Sequence, residues 1–277
     1  LVLVQVRVGR APPRRGGPRP PRPDGSGALI VAMRDEANVA FGIESPLLRY
    51  DDATGEWDAI VRNMPSYAMT ADDENNVFWV HSGENGLLGR IPYDTLELEE
   101  IGVLKSPGPP SVGLAGLAVR DGVLYASVWL VGVFQPDRLY TVDTETATLT
   151  LVHEFPTEFE VWDLHYDPRR DRMLVLSSPE DIPPGEVGIY ELDLDTFEMT
   201  QVQSFFNEDP FSELNSLQGV ATGNGKNFIF RAPYNKIEIY DARTEEFIET
   251  ISVPANVANP PGLGWLFGAL SWSPSRQ

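Results

Sequence analysis

The side chains of this sequence that could move a proton or hold an ion are few and scattered. Its three histidines stand at 81, 153 and 165. They have neither the His-x-x-x-His nor the His-Glu-x-x-His spacing that turns two imidazoles toward one zinc ion. No Gly-x-Ser-x-Gly elbow presents a nucleophile. Gly223-Asn224-Gly225-Lys226-Asn227 sets glycines beside a lysine, but it lacks the spacing of a phosphate loop and the helix that would follow one. Asp72-Asp73-Glu74-Asn75-Asn76 has the composition of a calcium loop without its ligand spacing. Neither a metal nor a cofactor is therefore expected. What remains is carboxylate chemistry: Asp163 paired with Asp35 or Glu84 could serve as acid and base at a glycosidic bond, with His81 as a further proton carrier. The carboxyl separation would decide that mechanism.

The elements that must position these groups are strands. One short phrase recurs: an apolar-alternating strand ends in Asp, a turn follows, and a second strand leaves. It occurs as Leu48-Arg49-Tyr50-Asp51, Ile91-Pro92-Tyr93-Asp94, Tyr140-Thr141-Val142-Asp143, Tyr190-Glu191-Leu192-Asp193 and Glu238-Ile239-Tyr240-Asp241. The aspartates at 51, 94, 143, 193 and 241 are separated by 43, 49, 50 and 48 residues, a period of the size expected of a blade repeat. A carboxylate at a strand end can accept the N–H groups of the following residues as an Asx-turn, and a Thr three positions on can add its hydroxyl. That pairing is present at Asp51/Thr54, Asp143/Thr146, Asp193/Thr196 and Asp241/Thr244; at Asp94, Glu97 stands in the Thr place. A residue repeated once per unit in this way reads as structural rather than metal-binding.

Ahead of each phrase lies a hairpin. The strand pairs flank polar turns at Asp72 to Asn76, Arg120-Asp121-Gly122, Asp167 to Asp171 and Gly223-Asn224-Gly225, and Asp-Gly between apolar strands is a strong hairpin signal. Each unit thus supplies four strands, innermost to outermost in chain order. The first unit, opening with Ala28-Leu29-Ile30-Val31-Ala32-Met33, lacks its innermost strand, and Ala269-Leu270-Ser271-Trp272 near the C-terminus is a spare one. Pairing the two closes a ring of five blades and removes the open edges of an unclosed array. The alternative is a fragment of a six- or seven-bladed parent.

This pattern resembles the β-propellers, nearest to the YVTN and quinoprotein-like repeat class, over residues 28–277. The Gly-His and Trp-Asp pairs of WD40 repeats and the double glycine of kelch repeats are missing. The resemblance implies an all-β scaffold of four-stranded antiparallel blades, with a central channel and one loop-rich face that binds ligands. It implies no particular reaction.

On that face the reading places Tyr67, His81, Trp129, Trp162, Asp163, Arg231 and Trp265 as ligand-binding residues. Aromatics among carboxylates suit a small molecule, a glycan or a protein segment. The opposite face, built from the short turns, is expected to leave little room for a concave site. Two functions follow: a non-catalytic binding or interaction domain, and a hydrolase or lyase acting on an extracellular carbohydrate or lactone through Asp163, Asp35, Glu84 or His81.

The chain of 277 residues is 42% hydrophobic, has no Cys and carries a net charge of −20. Such a charge repels nucleic acid and anionic membrane surfaces, and no apolar run reaches the roughly 20 residues of a membrane helix. A monomer in an extracellular or periplasmic setting is expected. Residues 1–27 differ from the rest: six arginines against Asp24 give them a net +5, among six prolines, so the remainder carries −25. No core can form from that composition, and the segment is expected to be a disordered tail dispensable to the folded domain at 28–277.

Overall fold

The sequences that the hairpin grammar marks as strands become sheets whose two faces are both covered. The computed structural model describes residues 27–35, 46–61, 66, 68–82, 86–105, 113–129, 136–157, 159–177, 187–205, 217–231, 236–253 and 266–273. In chain order the strands are β1 (Ala28–Asp35), β2 (Leu47–Asp51) and β3 (Trp57–Val61); β4 (Ala68–Asp72), β5 (Val77–Ser82), β6 (Leu87–Pro92) and β7 (Glu99–Val103); β8 (Gly113–Arg120), β9 (Val123–Trp129), β10 (Arg138–Asp143) and β11 (Thr148–Glu154); β12 (Val161–Asp167), β13 (Arg172–Ser177), β14 (Gly188–Leu192) and β15 (Met199–Ser204); β16 (Leu217–Gly223), β17 (Lys226–Arg231), β18 (Lys236–Asp241) and β19 (Phe247–Ser252); and β20 (Leu266–Ser273). They form five antiparallel sheets of four strands, and the first is ordered β20-β1-β2-β3. The C-terminal strand therefore completes the first blade as the sequence predicts, in register from Ala28 opposite Ser273 to Asp35 opposite Leu266. The protein is a five-bladed β-propeller.

Each blade is a filling between two neighbours, which explains why its inner strands read as continuous apolar runs rather than alternating ones. Along β1, Leu29 and Val31 pack toward Phe228, Phe230 and Ile239 of blade 5. Ala28, Ile30 and Ala32 face Met69, Phe78 and Val80 of blade 2. Three further clusters fill the contacts between blades 2 and 3, 3 and 4, and 4 and 5. The core is thus a ring of five layers, with no single centre.

The closing strand is stitched to both neighbours. The Ser271 hydroxyl accepts the Ala71 N–H at 2.8 Å, and the Ser273 hydroxyl donates to Asp73 at 2.8 Å. On the other side Trp272 stacks on Phe228 with ring centres 5.4 Å apart. It lies so close over Gly223 that a Cβ there would sit 1.9 Å from its ring. Asp52 adds a second tie between blades 1 and 5, accepting from Lys226 Nζ at 2.7 Å and Asn224 Nδ2 at 3.2 Å.

The repeated Asp behaves as an Asx-turn at four of its five positions. Asp51 Oδ1 accepts the N–H groups of Ala53 and Thr54, Asp143 those of Glu145 and Thr146, Asp193 those of Asp195 and Thr196, and Asp241 those of Arg243 and Thr244. These bonds favour the ionised form and hold all four carboxyls below the usual Asp range. In the second blade the register differs from the sequence reading. The turn-closing bond runs from Leu96 N–H to the Pro92 carbonyl, matching Gly55 to Asp51, Ala147 to Asp143, Phe197 to Asp193 and Glu245 to Asp241. Pro92, not Asp94, therefore occupies the repeat position. The Thr is not replaced by Glu97 either: Thr95 stands three residues on, and its hydroxyl accepts the Glu97 N–H as Thr54 accepts that of Glu56. The backbone turn keeps its shape with the carboxylate gone, because its own N–H to carbonyl bond suffices.

The inner hairpins are tight for a local reason. Asp121-Gly122 and Asn224-Gly225 have positive φ at both central residues, 51° and 74° in the first and 49° and 74° in the second, the type I′ geometry whose twist matches that of the flanking strands. Every link between strand ends on this face has six residues or fewer, and the strand ends joined by all longer links, such as 36–46, 178–187 and 205–216, are on the other face.

The closing contact gives a direct test. Gly223→Ala is expected to lose about 1–3 kcal/mol of unfolding free energy through overpacking against Trp272, measured by urea denaturation. A change below about 0.5 kcal/mol would show that the closing strand yields freely.

Candidate functional site

The second strands of the blades all end on the face with the long links. Asp35, Trp129, Ser177 and Arg231 are the last residues of β1, β9, β13 and β17, and His81 is the last but one of β5. The fold thus brings four of the residues singled out in the sequence to one rim. Tyr67, Glu84 and Trp265, and the side chains of Asp35 and Trp129, lie outside the described residues, so the pairing of Asp163 with Asp35 or Glu84 does as well. His81 is fully buried at this rim, and its backbone carbonyl receives the Ser66 hydroxyl at 3.3 Å. Arg231 is already engaged: Nε stands 2.7 Å from Glu238 of its own blade, and the guanidinium lies 5.6 Å from the centre of the Phe205 ring, which follows the outer strand of blade 4.

Trp162 and Asp163 diverge, although they are consecutive. The ladder shifts register at a β-bulge between Val161 and Asp163, and the Trp162 ring packs into the layer between blades 4 and 5. Asp163 points to the axis of the ring and is wholly buried. Its Oδ1 accepts the Leu164 N–H and its Oδ2 the Val220 N–H, both at 2.8 Å, and the Leu270 N–H supplies a third bond. One carboxylate thereby holds the inner strands of blades 4, 5 and 1. Burial pushes its pKa well above the ordinary Asp value, and the three amides pull against that shift.

The small residues around it make this possible. Asp163 lies four residues before the end of its inner strand, and the matching positions in the other blades hold Ala68, Gly116, Gly219 and Ala269. A Cβ on Gly116 would come within 2.2 Å of the Leu164 nitrogen and 2.8 Å of Asp163 Cα. At this level the ring has room for one side chain larger than Ala.

The burial of Asp137 escaped the sequence reading. Asp137, at the head of β10, is 6% exposed and accepts the Val161 N–H at 2.7 Å, while its backbone carbonyl takes the Phe155 N–H. It pins the crossing from blade 3 into blade 4. Burial raises its pKa to about 7; the Val161 bond opposes this and the charge of Glu160 adds to it. Nothing in Pro136-Asp137-Arg138 marks it, because the burial comes from the next blade.

At the turn-side mouth of the channel a cavity of about 70 Å³ is lined by Thr70, Asp73, Glu74, Asp121, His165 and Ser271, among others. His165 is 4% exposed, and burial pushes its pKa down to about 4 against the pull of Asp167 and the Thr222 backbone. Asp72, at the same mouth, is occupied structurally, accepting from Asn75 and from Trp79 Nε1. Among the described residues no group of three His, Asp or Glu side chains could hold a metal ion.

No family model matches the sequence, and no curated protein matches it. Among solved structures, the chain is similar to one from the nidogen/laminin complex, at 12% identity and a TM-score of 0.55 over 89% of this chain and 98% of that one. TolB from Acinetobacter baumannii follows at 13% identity and 0.49, over 82% of this chain and 54% of its own. The PQQ-bound aldose sugar dehydrogenase from Streptomyces coelicolor stands at 12% and 0.46, over 68% of each chain. At these identities the likeness is one of fold.

Two measurements test Asp163 and Asp137. Both oxygens of Asp163 accept N–H groups, so Asp163→Asn would turn an amide N–H against a backbone N–H; it is expected to lose about 1–3 kcal/mol of stability. Unchanged stability in urea would show that the carboxylate is not a structural pin. For Asp137 the folded pKa of about 7 lies above the ordinary value of 3.8, so the folded state holds the extra proton in that window and stability from this group falls as pH rises through it. Asp137→Asn removes this loss. The stability of the variant relative to the natural chain is expected to rise between about pH 4 and 7 by at least about 1 kcal/mol, and a flat difference would refute the assignment.

Proposed function

We propose that this protein is a non-catalytic binding propeller whose ligand lies over the channel mouth on the face with the long links. The observation that carries the reading is the commitment of Asp163. Asp163, wholly buried at the axis, has both oxygens engaged by backbone amides of three blades, and a carboxyl so enclosed is held away from any substrate with which it could exchange a proton. The distribution of links supports the choice of face, since every link longer than six residues between the described strands opens there and long loops on a rigid scaffold are where binding residues concentrate. Trp129, Trp162 and Arg231, with Tyr67, His81 and Trp265, are the proposed ligand-binding residues. A protein, a glycan or a neutral or cationic small molecule fits the acidic surface better than an anion does. A partner protein is in keeping with the nidogen/laminin complex, from which a chain of similar fold comes.

The test is a glycan, metabolite and protein binding screen on the full chain, followed by turnover assays on every hit. A hit bound without turnover, and lost in Trp129→Ala and Trp162→Ala variants that remain folded at the assay temperature, is the expected result. Turnover of a carbohydrate or lactone would establish the hydrolase or lyase reading instead. Binding that survives both substitutions and fails when the hairpin turns are altered would move the site to the other face.

A further inference from the structure

The outer edge of blade 5 presents apolar side chains to solvent. β19 is the last strand of its sheet, ordered β16-β17-β18-β19, so one side of its backbone has no strand partner among the described residues. Its first two residues, Phe247 and Ile248, are 56% and 45% exposed, and the ladder to β18 shifts register beside them. An open edge with exposed apolar residues is a template for another strand, and proteins commonly cover such edges. The other outer strands offer less. β3 and β15 have no exposed large hydrophobic residue, and β7 and β11 have one each, Val103 and Leu151. The start of β11 is in addition taken by Lys105, which bonds the backbone of Ala147 and Leu149.

The chain itself carries a segment that fits this edge. Residues 1–26 lie outside the described residues. Within them Leu1-Val2-Leu3-Val4-Gln5-Val6-Arg7-Val8 puts Val at every second position, the alternation of a strand. A strand of this kind gains no stability alone and needs a sheet to join. Residues 9–26 then form a tether of 18 residues, six of them proline. A Pro-rich tether extends about 3.1 Å per residue, so this one reaches up to roughly 55 Å. The chain enters blade 1 at Gly27, so close to Trp272 that an added Cβ would sit 2.5 Å from its ring, and Trp272 stacks on Phe228 of blade 5. In that blade β19 is three strands out from β16, a distance of about 15 Å. Charge agrees with reach: Arg7 and Arg10 adjoin the apolar segment, and Glu245, Glu246 and Glu249 are exposed around Phe247 and Ile248.

We propose that residues 1–8 of the same chain add to blade 5 as a fifth strand, antiparallel to β19, and cover its open edge. Main-chain bonds supply the affinity in strand addition of this kind, and the valines supply the apolar cover for Phe247 and Ile248. The direction follows from the tether. Phe247, at the start of β19, and Gly27, just before β1, lie on the same face, that of the short turns. An antiparallel segment ends beside Phe247 with Val8, so the tether has only that face to cross. A parallel segment would add the full height of the blade to the path. The tether also holds the segment at an effective concentration of about millimolar, whereas two bodies of net −25 repel each other, so the segment joins its own blade rather than that of a second copy. Residues 1–27 are then dispensable to the five apolar layers and not to the edge of blade 5. The edge is separate from the ligand face proposed above, so each reading can fail without the other.

The test is hydrogen exchange on the full chain, read amide by amide by NMR. Alternate amides of residues 2–8, and the amides of β19 that give no bond to β18, are expected to exchange slowly and at similar rates. The Val4→Asp/Val6→Asp variant, altered outside the propeller, is expected to speed both sets by about tenfold or more through the lost apolar burial. Ile248→Lys, a change at an exposed position, is expected to speed the same two sets by about threefold or more, while the amides between β16, β17 and β18 keep their protection. Fast exchange throughout residues 2–8, or protection there that survives Ile248→Lys, would overturn the proposal. So would protection of the outward amides of β3 or β15 in place of those of β19. Protection that rises with protein concentration would assign the segment to a second copy and overturn the intramolecular strand.

Discussion

Five inner strands converge on one axis, and the rest of the structure depends on how closely they approach there. At the level of Asp163 the other blades present Ala68, Gly116, Gly219 and Ala269, and the β12 backbone occupies the space that a Cβ on Gly116 would need. Strands packed so tightly leave their amide groups no access to water at the axis, and a buried N–H without an acceptor costs about 1–3 kcal/mol. Asp163 resolves this by turning both carboxylate oxygens to the amides of Leu164, Val220 and Leu270. Burying a carboxylate is costly on its own. Here the cost is offset by three N–H bonds from strands that belong to three different blades, so the same interaction that satisfies the charge sets the spacing of the ring.

Outward from that axis the stabilising contacts change in kind. The next level is apolar, in five layers that each belong to two blades, so no blade has a core of its own. The ring must therefore be closed for any blade to have both faces covered. β20 achieves this with backbone pairing to β1, Trp272 over Gly223, and the Ser271 and Ser273 hydroxyls reaching blade 2. Farther out the ties become polar and exposed, such as Arg49 with Asp58, Arg90 with Glu99 and Arg138 with Glu154 across neighbouring strands; pairs of that kind contribute about 0–1 kcal/mol each. The strength of the structure thus lies at its centre and its seam.

Much of the acidity is also structural at close range. Asp51, Asp143, Asp193 and Asp241 each hold two backbone amides, Asp52 joins two blades, and Asp137 and Asp163 are buried. Glu74 and Asp121 remain exposed at the turn-side mouth, Asp121 with Arg120 Nε 3.8 Å away.

The blade repeat, the four-stranded unit, the closing strand and the short type I′ turns were all legible in the amino-acid sequence. Each rests on local rules: side-chain period, the φ > 0 tolerance of Asp-Gly and Asn-Gly, and the hydrogen bond from an Asp to amides two and three residues on. The second blade shows where local reading slips, since Asp94 looked like the repeat residue and the turn bonds belong to Pro92. The roles of Asp163, Asp137 and His165 were not legible. Asp163 meets the Val220 amide 57 residues away, and Ser271 meets Ala71 across 200. Burial of these polar groups, and hence their charge state and their partners, comes from neighbouring blades. The sequence alone determined that there would be blades and how they would turn. Only the packing of five of them around one axis decided that Asp163 would hold strands together and that His165 would line a cavity.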